Sequence, residues 1–269
     1  AAVDGDRIIV KNRAGNIPWI ENITVDKSLQ FLSFTNDDFF YVQGTYTIAS
    51  TPGREVSIVS MRNTSGGIIG SGTGNARTTK VRILDSYFVN GSIDLDLAVF
   101  EADIVGNTLL SGGVALNFGN VVGNEIDASA VSGTVGIEVT TTATGTPLDT
   151  CAIMGNKVRT AGYGEGIFTS TSQQVVHIRN NFVQHAWMGI QVYGGNTAAV
   201  QNLIWNNTVL AYAGQFSVYG IDMANTSSGS VWEIMNNVVT TTWSGDNRGI
   251  NKDSGNNGQV NVYFNHVVS

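Results

Sequence analysis

The 269-residue chain is predicted to be an all-β solenoid, and three observations carry that prediction. A six-residue motif recurs from the middle of the chain to its end. Glycine is abundant at 32 residues, proline is rare at 3, and Val, Ile and Thr dominate, a composition that favours strands. Long runs with the 3.6-residue period of an amphipathic helix are absent.

The motif is clearest at 178–183, I-R-N-N-F-V. Related copies are I-W-N-N-T-V at 204–209, I-M-N-N-V-V at 234–239, I-M-G-N-K-V at 153–158, V-V-G-N-E-I at 121–126, I-V-G-N-T-L at 104–109 and V-Y-F-N-H-V at 262–267. A degenerate copy at 83–88 has Ser86 in place of the Asn. The repeated residue is Asn107, Asn124, Asn156, Asn181, Asn207, Asn237 and Asn265, at intervals of 17 to 32 residues. That period marks a repeat architecture. Counted from the Asn, positions −5, −3 and +2 are mostly apolar, so they face inward. Cys151, at position −5 of its copy, reads as a small core residue.

A second strand follows after a loop of variable length and reads Gly-Ile-X-Val, as at 136–139, 189–192 and 220–223. Each repeat is then strand, Asn turn, strand, loop, which is one coil of a solenoid. Residues 1–80 repeat poorly. They are expected to form irregular first coils that cap the stack, with 81–269 as the regular coils of one continuous domain.

The Asn-Asn-X-Val turn and the Gly-Ile-X-Val strand resemble those of the right-handed parallel β-helix proteins, the pectin-lyase-like superfamily with Asn-rich coil repeats. The resemblance covers about 81–267. It implies that each turn Asn stacks on the Asn of the next coil, with its amide bonded to neighbouring turns. A buried amide must be satisfied, and a column of identical amides can satisfy itself.

Net charge is −7, which argues against a nucleic-acid partner, since that needs a basic stripe. No stretch of 18 apolar residues could span a membrane as a helix. The chain is expected to be secreted or at the cell surface. Its last copy is a full first strand, an open coil end on which another chain could pair.

Stacking turns single positions into columns one strand spacing apart. Position −2 gives Leu84, Val105, Val122, Met154, Arg179, Trp205, Met235 and Tyr263, an outer stripe that is apolar except at Arg179. A loop of the same chain, a partner subunit or a ligand would cover it, and self-association, lateral or end to end, is expected. The outward column of the Gly-Ile-X-Val strand reads Asp94, Ala115, Glu138, Phe168, Gln191, Asp222, Asn251. The next reads Asp96, Asn117, Thr140, Ser170, Tyr193, Ala224, Asp253. Aromatic rings among amides and carboxylates suit sugars, so Phe168, Gln191, Tyr193 and Asp222 are candidate carbohydrate-binding residues. Asp94 and Asp96 share a strand face and are candidates for calcium ligation or for a glycosidase acid/base pair; no other cofactor is expected. His177 and Arg179 point the same way from one strand, with Glu233 two coils on, and form a candidate catalytic group.

Two functions follow. One is an extracellular structural or adhesive rod that self-associates or binds glycans along its long faces. The other is a polysaccharide lyase or glycoside hydrolase acting on an acidic polysaccharide.

Overall fold

The computed structural model describes residues 2–34, 38–72, 79–96, 100–140, 150–171, 174–194, 201–212, 217–241, 245–255 and 257–268. Every strand pairing among them is parallel, and the strands fall into two sheets of eleven and nineteen. The chain is a parallel β-solenoid.

The eleven-stranded sheet takes one strand per coil in sequence order, from Asp6–Val10 through Val175–Arg179 to Gln259–Tyr263. Position −3 stacks in perfect register, Ile83 on Ile104 on Val121, and onward to Ile234, all fully buried. Burying one such side chain stabilises by about 1.5–3 kcal/mol, and the column repeats that contribution in each coil. The nineteen-stranded sheet carries the strands after the Asn turn and the Gly-Ile-X-Val strands.

The turn itself has a simple backbone requirement. The residue before the repeated Asn adopts left-handed φ in every copy: Asp85, Gly106, Gly123, Gly155, Asn180, Asn206, Asn236 and Phe264, with φ between +48° and +68°. Gly and Asn tolerate that region best, which explains the Gly-Asn and Asn-Asn pairs.

The asparagines form a hydrogen-bonded column. Asn181 Oδ1 accepts from the backbone N–H and the Nδ2 of Asn156, both at 3.0 Å. Its Nδ2 donates to Ile153 O and to Asn207 Oδ1, both at 2.9 Å. The same pattern links Asn107 to Asn124, Asn124 to Asn156, Asn207 to Asn237 and Asn237 to Asn265. At Ser86 the side chain is too short to continue the column; its N–H takes Asn107 Oδ1, and its hydroxyl oxygen accepts from the Met61 N–H.

The N-terminal third shares this architecture. Ile8, Phe31, Ile58 and Ile83 stack in one register, so no break in the first sheet falls at residue 80. Its irregularity lies in the second sheet. Phe40–Ala49 and Met61–Ser71 are single long strands where later coils have two short ones.

The Gly of Gly-Ile-X-Val is a packing residue. A Cβ on Gly136, Gly166, Gly189 or Gly220 would stand 2.1–2.3 Å from Cγ1 of the valine that follows the repeated Asn in the next coil. The two halves of the repeat therefore specify each other: the valine fills the space that the glycine leaves.

Candidate functional site

The outward column of the Gly-Ile-X-Val strands is continuous. Asp94 pairs with Ala115, Ala115 with Glu138, Glu138 with Phe168, Phe168 with Gln191, Gln191 with Asp222 and Asp222 with Asn251. Neighbours in this column are about 4.8 Å apart along the rod.

Its C-terminal half differs from expectation. Gln191, Asp222 and Asn251 have outward parity, yet are only 5 %, 3 % and 7 % exposed. The reason is a hydrogen-bond chain laid along the surface. Gln191 Nε2 donates to Asp222 Oδ2 at 2.9 Å, Asn251 Nδ2 donates to Asp222 Oδ1 at 2.7 Å, and Arg248 Nη1 donates to Asn251 Oδ1 at 2.8 Å. A second correction concerns the neighbouring column. A bulge between Val192 and Tyr193 sets Asn225, not Ala224, opposite Tyr193, and Ala224 is buried.

Two aromatic pairs mark this face. Phe168 and Tyr193 meet edge to face with ring centroids 5.7 Å apart, and Tyr193 is 37 % exposed. Tyr163 and Trp187 meet likewise at 6.0 Å. They precede the strand starts Glu165 and Met188, which pair across adjacent coils. Phe168 lies three residues beyond Glu165, about 10 Å along an extended strand. The aromatic pairs thus bracket a strip of amide and carboxyl groups.

The carboxyl groups of the strip influence one another. Burial, then the charges of Glu138 and Asp222, push Glu165 up to about 7. Burial, then Asp94 within hydrogen-bonding reach and the Glu138 charge, push Asp96 up to about 6. Burial and the Asp94 charge also raise Glu138. Tyr193 is raised by burial and by Asp222, Glu165 and Asp253. An open pocket of about 180 Å³ is lined by Ser92, Gly113 and Thr134 at the strand starts and by Asp94, Ala115 and Glu138. Asp94 Oδ1 is buried, and the Asp96 carboxyl lies within hydrogen-bonding reach of the Asp94 side chain.

Asp94 and Asp96 lie side by side as expected, but two carboxyl groups fall short of the six to eight oxygens that calcium takes. Among the described residues no group of three His, Cys, Asp or Glu side chains could hold a metal ion.

The remaining candidates sit on the other sheet. His177, Leu203 and Glu233 share one column, so a buried leucine separates the imidazole from the carboxylate. Glu233 Oε1 accepts from Gln201 Nε2 at 2.7 Å, and Arg179 turns toward Met154 Sδ. His177 is lowered by burial and by Arg179. Among the described residues no carboxylate pairs with His177 or Arg179. The stripe of Leu84, Val105, Val122, Met154, Trp205 and Met235 is half-buried, and Tyr263 is exposed.

Glu165 and the Tyr163–Trp187 pair were not among the sequence candidates. They fall in the loop and corner before the Gly, outside the repeat. Their one sequence signal is Y-G-E-G-I at 163–167, an acid and an aromatic immediately preceding a Gly-Ile strand.

No protein-family model matches the chain, and no curated protein matches it. Among solved structures it is similar to the Dettilon tailspike protein gp208, at 15 % identity and a TM-score of 0.34, over 95 % of this chain and 61 % of that one. This chain therefore spans less than two thirds of that tailspike chain's length. At that score the likeness carries no argument, and the fold assignment rests on this chain's own strand register. No helix among the described residues is long and apolar enough to cross a membrane.

Proposed function

We propose that the protein is a glycan-binding solenoid that takes a sugar chain on the Gly-Ile-X-Val face. The observation that carries this reading is the pairing of Phe168 with Tyr193 beside the Gln191–Asp222–Asn251 chain. Rings offer a stacking surface for the apolar face of a sugar, and the buried Gln191–Asp222–Asn251 chain braces the strands beneath them. A coil spacing of about 4.8 Å matches the rise of one sugar in an extended chain closely enough for successive coils to meet successive sugars. Carboxylates along the strip oppose an anionic chain, so the ligand is neutral or cationic rather than the acidic polysaccharide expected from the sequence. The test is titration with a panel of neutral oligosaccharides. Tyr193→Ala and Trp187→Ala should each weaken binding about tenfold, as loss of a ring contact worth about 1.4 kcal/mol would. Unchanged affinity in both variants refutes the reading.

A second reading, hydrolysis of the bound chain, is favoured by Glu165. A carboxyl group pushed up to about 7 is about half protonated at neutral pH and can donate to a leaving oxygen. Asp222, oriented by Gln191 and Asn251, supplies a second carboxyl group on the same face. Release of reducing ends by the native chain but not by Glu165→Gln is the expected outcome; equal release by both sinks it. The lyase alternative has less support, because His177 and Arg179 lie away from these acids.

Membership of the pectin-lyase-like superfamily, an extracellular or cell-surface location and self-association accompany the glycan reading as proposals. The half-buried apolar stripe supports self-association. A clean monomer in sedimentation at high concentration would count against it.

A further inference from the structure

We propose that the apolar stripe of the first sheet packs on the same stripe of a second copy, antiparallel, about a two-fold axis at Val122. Arg179 of each copy then meets Asp85 of the other. This rests on the self-association reading above and names its face, orientation and register. The stripe is longer than the sequence pattern indicated. Ile9 pairs with Leu32, Phe31 with Ile58, and Val59 with Leu84, so Ile9, Leu32 and Val59 extend it through the first coils of the eleven-stranded sheet.

Charge fixes the register. Among the described residues Arg179 is the one charged member of the stripe. Its Nε is buried without a hydrogen-bond partner, its Nη2 points at Met154 Sδ, and no carboxylate pairs with it. Covering a cation with apolar surface strips its hydration, so the covering face must bring an anion. The residues that immediately follow the stripe members form its turn edge, and there Asp85 is the one charge. It is exposed and holds no ion pair among the described residues. Asp85 and Arg179 lie four coils apart, about 19 Å, too far to meet within one chain. Val122 lies two coils from each. A two-fold axis there joins both charge pairs at once, and every described coil of the stripe faces another.

Shape agrees with charge. Parallel pairing in register would set Arg179 against Arg179 and Trp205 against Trp205. The antiparallel register sets Trp205 against Val59 and Met154 against Val105, so large side chains meet small ones. A contact about 48 Å long and one five-residue strand wide, about 17 Å, covers about 800 Å² on each copy, the size of a standard stable interface. The Gly-Ile-X-Val face belongs to the other sheet and stays open.

The test is sedimentation equilibrium of the full chain at low salt. The native chain is expected to dimerise. Arg179→Asp and Asp85→Arg should each weaken the dimer about tenfold or more, since each sets like charges together twice. An equimolar mixture of the two variants should recover dimers, because each then meets the opposite charge in its companion. Thermal melts establish that both are folded. Asp85→Asn, which suits the left-handed turn, should weaken the native dimer as well. Variants that dimerise like the native chain, or a mixture no better than its parts, overturn the inference and leave self-association standing. A native chain that stays monomeric at high concentration overturns both.

Discussion

Gly189 and Val209 belong to successive coils, and a Cβ on Gly189 would lie 2.2 Å from Val209 Cγ1. The Gly220 carbonyl oxygen, at 2.5 Å, closes the other side. Gly189→Ala is therefore expected to cost about 2–4 kcal/mol, more than the usual overpacking penalty, because one of the atoms met is backbone. Val209→Ala in the same chain should recover part of the loss. A double-mutant cycle by chemical denaturation measures the coupling, and additive effects would disprove the contact.

Asn181 makes four hydrogen bonds from a buried side chain. Asn181→Leu leaves the Asn156 backbone N–H without this acceptor, removes the donor to Ile153 O, and takes one hydrogen bond from each of the amides of Asn156 and Asn207. The expected cost is about 3 kcal/mol or more. Asn265, at the end of the column and less buried, should cost clearly less when changed in the same way. Equal losses at both positions would show that the column does not stabilise through burial of its amides.

Phe264 stands alone among the turn residues. It has φ of +51° and is 85 % exposed, where other coils place Gly, Asn or Asp. An aromatic residue in that region costs about 1–2 kcal/mol. Phe264→Asn should accordingly raise the melting temperature, and a fall would contradict the turn geometry.

His185 is fully buried, with the Trp187 backbone within weak hydrogen-bonding reach of its ring. Burial lowers it to about 4, offset in small part by the Trp187 backbone. The unfolded chain binds this proton below about 6.5 and the folded chain only below about 4. Stability contributed by the neutral ring is complete above about 6.5 and is lost as pH falls toward about 4, by about 3 kcal/mol in all. A volume-matched apolar variant, His185→Leu, should flatten the stability profile across that window. An unchanged profile would mean that the imidazole is not held neutral.

Glu165 behaves in the opposite sense. Its carboxyl is raised from 4.5 to about 7, so the folded chain holds a proton that the unfolded chain has released. Its protonated form supports the fold at low pH, and that support is lost as pH rises through about 7. Glu165→Gln should therefore raise the melting temperature at about pH 8 and leave it nearly unchanged at about pH 4.

Much of this architecture is legible in the chain. The spacing of Asn107 to Asn265 gives the coils, and the alternation around Ile178 gives the inward faces. The outward register from Asp94 to Asn251 follows from aligning the Gly-Ile strands. Other features are not legible for definite reasons. The left-handed residue at Gly106 or Asn180 is a backbone state, visible as composition only once the turn is known. The bulge after Val192 shifts register by one residue, so alternation alone picks Ala224 in place of Asn225. Gln191 and Asp222 alternate outward like any surface pair, and only the hydrogen bonds that join them across coils show that they are buried.

The repeat sets which residues stack on which, because a parallel coil brings equivalent positions one strand spacing apart. The three-dimensional packing decides what those columns become. Asn181 is a structural amide because both its neighbours are asparagines at hydrogen-bonding distance. Gln191 and Asp222 are buried because hydrogen bonds join them across adjacent coils. Glu165 holds its proton unusually tightly because it is buried and because it lies near Glu138 and Asp222, which are 27 and 57 residues away in sequence. Electrostatic and desolvation effects act through space, so such a site appears only when the coils are stacked.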